Sequence, residues 1–203
     1  MGKKDYKKQL KHLYGPSAKK VEIVDVPQMS FLMVDGEGNP NTSKSFSDAI
    51  EALYPLSYTL KFMVKKGKMA VDYGVLPLEA LWWADDMSAF STGNKDDWKW
   101  TLMIMQPEFI TQKMVKEATE EVERKKKPAS LPFVRFDTFK EGKAAQIMHI
   151  GPFSKEGPTI EKVHLFIEDN GSRRVGKHHE IYLSDIRRAA PEKWKTIVRQ
   201  PMT

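Results

Sequence analysis

Two carboxylates that stand inside strand-like apolar runs are the residues of this sequence best suited to chemistry. Residues 178–183 (HHEIYL) carry Glu180, and residues 78–83 (LEALWW) carry Glu79 in a similar setting. Successive strand residues point to opposite faces, so Glu180 shares a face with Tyr182. Burying a carboxylate beside large aromatic rings costs free energy, unless the carboxylate has a hydrogen-bonding or charged partner or takes part in the function. The matching positions suggest one site built from two halves.

Glu180 and Tyr182 are the catalytic candidates. Burial near aromatic rings would raise the pKa of Glu180 and suit it to proton transfer or to pairing with a cation. Tyr182 could donate a hydrogen bond to an oxygen on which negative charge develops. The alternative interpretation of Glu180 is a carboxylate without function on the solvent-exposed face of a strand. The alternative interpretation of Glu79 is an exposed residue on an edge strand.

The ligand-binding candidates are mostly aromatic, because flat rings stack on flat ligands at low entropy cost. Core packing is the competing explanation for the tryptophans, and alternation does not decide whether Trp82 or Trp83 points inward. Methionine suits an adaptable pocket but also fills gaps in a core. His149 could face a groove or be an ordinary hydrogen-bonded histidine. The full set of candidates is Glu79, Trp82, Trp83, Trp100, Met103, His149 and Phe153.

The composition limits the classes of protein to which this chain can belong. The chain has 203 residues, no cysteine and a net charge of +6, which excludes disulfides and thiol chemistry. The lysines near the start and the basic residues 124–127 are interrupted by acidic residues, so we expect solvated surfaces and no direct nucleic-acid contact. The five histidines lack metal-ligand spacing, and neither a metal nor a cofactor is predicted. No signal peptide or membrane span is evident, which predicts a cytoplasmic protein without membrane contact.

The first half of the chain predicts an α+β pattern. A polar helix over 3–14 precedes two strands at 21–26 and 30–34, the first closed by Pro27. Apolar residues at helical spacing follow from Phe46 to Met63, with Pro55 expected to kink or divide the helix. Two strands at about 72–84 and 98–106 complete this half. A second helix then leads into a linker, the two together covering 108–130.

The second half repeats the pattern. Residues 133–139 and 143–150 predict a hairpin turning at Glu141-Gly142, and a helix over 154–169 ends at Asn170-Gly171. The strand with Glu180 and a last strand over 194–199 follow. Long-period repetition of this kind indicates two similar units, about 18–106 and 131–200, packed about a pseudo-twofold axis within one domain over 1–203.

Four passages give the chain its resemblance to a known family. They are the strand-turn-helix passage over 31–54, its echo at 150–153, the segment 179–185 (HEIYLSD) and the tail 191–201 (PEKWKTIVRQP). In this order they resemble the GyrI-like small-molecule-binding domains. The resemblance implies two strand-helix-strand-strand units with an antiparallel sheet, outer helices and a ligand groove between the halves.

The resemblance also implies a function. In drug-sensing members a buried glutamate, which maps onto Glu180, meets small aromatic or cationic ligands. Some stand-alone members hydrolyse cyclopropane-bearing, DNA-alkylating natural products. We expect no DNA-binding domain of the kind that the activator members carry. We therefore expect a stand-alone detoxifying hydrolase, a monomer or weak homodimer. The alternatives are a non-catalytic drug-binding or sensor module, or a regulator that contacts a topoisomerase.

Overall fold

Helices and antiparallel strands alternate along the computed structural model, which describes residues 2–86 and 93–203. Within these residues the helices are α1 (Tyr6–Gln9), α2 (Lys11–Tyr14), α3 (Lys44–Lys66), α4 (Gln112–Lys125) and α5 (Gly157–Asp169). The strands are β1 (Glu22–Glu37), β2 (Leu78–Trp83), β3 (Lys99–Gln106), β4 (Arg135–Ile150), β5 (His178–Tyr182) and β6 (Lys195–Pro201). Short 3-10 turns cover Lys95–Asp97, Leu131–Phe133, Phe153–Lys155 and Pro191–Lys193.

The order strand, helix, strand, strand occurs in each half of the chain, with α4 between the two runs. Hydrogen-bonded neighbours follow as β1-β3-β2 in the first run and β4-β6-β5 in the second. β1 pairs antiparallel with β3 from Ser30 opposite Gln106 to Glu37 opposite Lys99. β6 pairs antiparallel with both β4 and β5. The predicted α+β class with antiparallel strands is confirmed.

The described chain forms two compact units. The first comprises residues 2–6, 29–76, 82–86 and 93–139, and the second comprises 7–28, 77–81 and 140–203. In the first unit α3 packs on β3 and α4, because its buried residues recur at helical spacing: Ala49, Ala52, Leu53, Leu56, Leu60 and Val64. In the second unit α5 packs on β6 through a cluster of Val21, Ala145, Ile147, Val163, Ile167, Val198 and Met202.

Both predicted strand breaks are wrong. β1 continues through Pro27. The fixed φ of proline is compatible with extended backbone, and the absence of a backbone N–H does not by itself end a strand. The predicted hairpin at Glu141-Gly142 is the middle of β4, where Gly142 has φ +77°. A glycine with positive φ is typical of a bulge inside a continuous strand as well as of a turn. The local sequence does not distinguish the two.

Of the two outcomes predicted at Pro55, a kink or a division, the division does not occur. α3 runs unbroken through Pro55, although proline in a helix interior costs about 3 kcal/mol. The fully buried Leu53, Leu56 and Leu60 around it supply packing that offsets this cost. The predicted helix over 3–14 is instead two single turns, α1 and α2, separated by Leu10 at φ −100° and ψ 40°.

Candidate active site

β5 places Glu180 and Tyr182 on one face, as alternation predicts. His178, Glu180 and Tyr182 are half-buried, whereas His179 and Ile181 point the other way and are buried. The Tyr182 hydroxyl donates to Glu180 Oε2 at 2.7 Å. His178 Nε2 lies 3.3 Å from Glu180 Oε1. Glu180 therefore has a polar partner on each oxygen, and its side chain still keeps 14% of its surface exposed.

The surroundings of Glu180 favour its ionised form. Burial by itself would raise the pKa of this carboxyl, but the hydrogen bond and charge of His178 lower it. Hydrogen bonds from Tyr182 and Glu156 act in the same direction, and the net pKa lies below the usual value for glutamate. Glu180 is thus an anion at neutral pH that remains open to a ligand.

A second carboxyl, Glu156, faces Glu180 from the residue before α5 and has the opposite character. Its side chain is covered, with the whole residue 4% exposed. Burial, and then the negative charge of Glu180, raise the pKa of Glu156 to about 9. The two carboxyls therefore share one proton at neutral pH, and Glu156 carries it. Glu156 was not among the residues predicted for the site, because a glutamate before Gly157-Pro158 is ordinary for a helix start.

Aromatic rings lie beside this pair. Phe153, one of the predicted ligand contacts, makes an edge contact with Tyr182 at 5.6 Å between ring centroids. It also packs on Trp194 at 5.0 Å. Phe153 is 40% exposed, so its ring offers apolar surface to a ligand beside the carboxyls. Trp194, which was not among the candidates, is fixed by donating from Nε1 to Ala189 O at 2.8 Å.

His149 and Thr196 extend the same face across β4 and β6. Thr196 is the register partner of His149 on one side and of Tyr182 on the other, and directly opposed strand residues point to the same face. His149 Nδ1 lies 2.9 Å from Thr159 Oγ1. We call the residues Phe153, Glu156, His149, His178, Glu180, Tyr182, Trp194 and Thr196 the Glu180 cluster.

Glu79 does not belong to the Glu180 cluster. It is fully buried, accepts from the Tyr14 hydroxyl at 2.7 Å and lies 3.0 Å from His179 Nε2. His179 alternates with Glu180 along β5, so Glu79 meets the opposite face of that strand. The structure thus assigns the two carboxylates to different sites.

Glu79 is part of a buried ionic network in the second unit. His179 Nδ1 lies 2.9 and 3.0 Å from the oxygens of Glu141, and Arg199 Nη1 donates to Glu141 Oε2 at 3.0 Å. Arg199 also donates to Gln146 Oε1 and to the Leu13 carbonyl. Burial lowers the pKa of His179, but the two glutamates outweigh it and raise the pKa to about 9. Glu141 has its pKa lowered to about 2, because His179 and Arg199 outweigh its burial. Closed and internally paired, this network is suited to structure rather than to ligand contact.

These shifts predict how stability depends on pH. The stabilisation from protonated His179 is complete below its unfolded pKa of 6.5 and is lost as the pH rises through about 9. Ionised Glu141 stabilises above about 4.5, and this is lost as the pH falls towards 2. Glu156, with its raised pKa, also stabilises less as the pH rises from 4.5 to about 9. The free energy of unfolding from urea titrations should therefore be greatest near pH 4.5, decline slowly to about pH 6.5 and decline more steeply from there to about pH 9. A rise between pH 6.5 and 9 would contradict these assignments.

The predicted tryptophan and methionine contacts lie in the first unit. Trp82 is buried and stacks on Phe46 at 5.8 Å, and Phe46 meets the edge of the fully buried Trp100 at 5.1 Å. A Cβ on Gly36 would overlap the Trp100 ring, so only glycine fits at this position. Met103 is also fully buried, whereas Trp83 is half-buried. Trp82, Trp100 and Met103 thus pack as core within this unit.

In residues 2–86 and 93–203, no group of three or more histidine or acidic side chains is placed to hold a metal ion. No helix in the same residues has the length and apolar character needed to cross a membrane.

The fold and site can now be compared with known proteins. The family model of the GyrI-like small-molecule-binding domain matches residues 19–201. An uncharacterized conserved protein from Listeria innocua is similar over 99% of this chain and 100% of its own, with 41% identity and a TM-score of 0.91. A hydrolase from Listeria innocua is similar over 99% of this chain and 100% of its own, with 40% identity and a TM-score of 0.86. The C-terminal domain of EcmrR, 12% identical with a TM-score of 0.57 over 91% of this chain and 97% of its own, shares the fold. No curated protein matches the sequence.

A model that spans residues 19–201 covers most of the chain and shows its family. The chain belongs to the GyrI-like small-molecule-binding domain family.

Proposed function

We propose that this protein is a hydrolase of flat, electrophilic small molecules and that Glu180 activates the attacking water. The observation that carries the proposal is an ionised, partly exposed carboxylate, fixed by Tyr182 and His178 beside exposed aromatic surface. A carboxylate with these properties can accept a proton from water in the transition state. Phe153 offers the flat surface on which an aromatic substrate can stack.

The substrate class that we propose is cyclopropane-bearing, DNA-alkylating natural products, as the family resemblance implies. Water would attack a carbon of the strained ring, and the opened product could no longer alkylate DNA through that carbon. The similarity of a Listeria hydrolase over its whole length supports a hydrolytic reaction. Detoxification in the cytoplasm is the corresponding biological role.

A binding module without catalysis is the second candidate. One anionic carboxylate surrounded by Tyr182, Phe153 and Trp194 also suits a lipophilic cation, which would pair with the charge and lie against the rings. Such a protein would sequester or sense drugs. Both candidates use the same residues, and turnover distinguishes them.

The experiment follows a cyclopropane-bearing DNA alkylator incubated with the wild-type protein. We expect the ring-opened, hydrated product, detected by mass spectrometry, to accumulate with enzyme concentration and well above the buffer control. Product at the buffer level for every alkylator in a small panel would exclude the hydrolase. Quenching of tryptophan emission by planar cationic dyes, at a Kd of about 1 μM or about −8 kcal/mol, would then support the binding module.

A further inference from the structure

Backbone hydrogen bonds hold Glu156 at the start of α5, and they direct its side chain towards β5 and β6. Its backbone N–H donates to Phe153 O at 3.1 Å, and its carbonyl accepts from Thr159 and Ile160 at 2.8 and 2.9 Å. The side chain faces Glu180 and the Thr196 hydroxyl. A fixed backbone with a buried carboxyl aimed at a second carboxyl is a costly arrangement for a residue that does nothing else.

Three buried polar atoms of the Glu180 cluster lack a hydrogen-bond partner among the atoms that the structure describes. They are Glu156 Oε1, Thr196 Oγ1 and His149 Nε2. Thr196 lies between His149 and Tyr182 in the sheet, on the face that carries Glu180. Buried polar groups are seldom left without a hydrogen-bond partner, so three such atoms in one cluster indicate a place for a polar group that is not part of the chain. Water or a substrate oxygen has the required chemistry.

The helix start does not hold Glu156 as an anion. The N-terminal end of α5 favours negative charge at Glu156 only weakly. Burial and the negative charge of Glu180 outweigh it and raise the pKa of Glu156 to about 9. The titratable group that faces Glu156 directly is Glu180 on β5. His178 and Tyr182 contact Glu180 in turn, and His149 lies on the same face of the sheet, on β4.

We propose that Glu156 is the proton donor of this site and that Glu180 is the proton acceptor. The inference rests on the proposed hydrolase function and extends it from one carboxylate to a pair with separate roles. Pairs of carboxyls whose environments favour opposite protonation states divide acid and base work in this way. The substrate that fits such a pair is a cyclopropane conjugated to a carbonyl. Its ring opening needs a base that takes a proton from the water attacking the ring carbon, and an acid that protonates the carbonyl oxygen.

The proton balance closes without any further reactant. The water oxygen forms a bond to the ring carbon as the strained carbon–carbon bond breaks. The electron pair of that bond moves through the conjugated system to the carbonyl oxygen, which takes the proton of Glu156. Glu180 takes the proton that the attacking water loses. The pair still holds one proton, and its transfer from Glu180 back to Glu156 restores the starting state.

The test compares Glu156→Gln with Glu161→Gln, which removes an exposed carboxylate from the same helix. Ring opening of a cyclopropane-bearing alkylator is measured from pH 5 to about 10, a range that includes the pKa of Glu156. We expect Glu156→Gln to lower kcat by about 10²–10⁴-fold and to abolish the loss of activity near pH 9. Affinity for the neutral ring-opened product should change little. Glu156→Asp should restore part of the rate, and Glu161→Gln should behave as wild type.

Infrared difference spectra of the same proteins detect the proton without turnover. We expect a protonated carboxyl band at pH 7 that disappears above about pH 9 and is absent in Glu156→Gln. Wild-type turnover together with an equally active Glu156→Gln, or with no such band, would overturn the role of Glu156 and leave the hydrolase in place. No turnover by the wild-type protein would overturn both the hydrolase function and the role of Glu156 as proton donor. An infrared band that remained in that case would show a protonated carboxyl in a ligand-binding site without catalysis.

Discussion

Replacing Glu180 by glutamine is expected to lower kcat for ring opening by about 10²–10⁴-fold, the usual cost of removing a general base. The amide keeps the size of the side chain and can still contact Tyr182 and His178. It cannot accept a proton from water at neutral pH. Affinity for neutral flat ligands should therefore stay within about threefold of wild type, so the loss falls on kcat rather than on binding.

The matched control for this prediction is again Glu161→Gln, and the measurement is steady-state kinetics together with a tryptophan-quenching titration of each variant. Cationic ligands provide a second comparison, because Glu180→Gln removes the negative charge and should weaken their binding while leaving neutral ligands unaffected. Turnover by Glu180→Gln at the wild-type rate would remove Glu180 from the mechanism. Glu79 could not replace it from its position in the structure, since it is fully buried and paired with Tyr14 and His179.

The elements of the fold could be predicted because their sequence signals are local. Apolar spacing located α3, α4 and α5, and alternation located β5 and its exposed face. The errors at Pro27 and Gly142 and the continuity of α3 through Pro55 have a common origin. Each residue type can interrupt an element, and whether it does so depends on packing from distant parts of the chain. Around Pro55 that packing is the buried leucine face of α3.

The site could be predicted only in part for a related reason. Glu180 and Tyr182 are two residues apart on one strand, so alternation alone brings them together. Glu156 reaches Glu180 from the start of a different helix, and no spacing in the sequence encodes that contact. Glu79 was predicted beside Glu180 because both stand in similar strands. The pairing of β2 with β5 determines which face of β5 Glu79 contacts. In the structure, that face is the one that carries His179.

Glu141→Gln is expected to lower the free energy of unfolding by about 3–5 kcal/mol, the usual cost of breaking a buried ionic contact from one side. Glu141 is the anion between His179 and Arg199, and all three side chains are almost completely buried. An amide in its place leaves His179 with Glu79 as its carboxylate partner and takes from Arg199 the carboxylate that compensates its charge. The measurement is urea unfolding at about pH 6, where this network contributes in full.

Glu121→Gln serves as the control, since Glu121 pairs with Lys125 on the exposed side of α4 and should cost less than about 1 kcal/mol. The pH dependence separates the ionic effect from a packing defect. Glu141 is the largest influence that raises the pKa of His179, so the loss of stability between about pH 6.5 and 9 should shrink in Glu141→Gln. A variant that is destabilised equally at every pH would point to packing. A loss below about 1 kcal/mol would show that the network contributes little to stability, as hydrophobic replacement of buried ion pairs shows elsewhere.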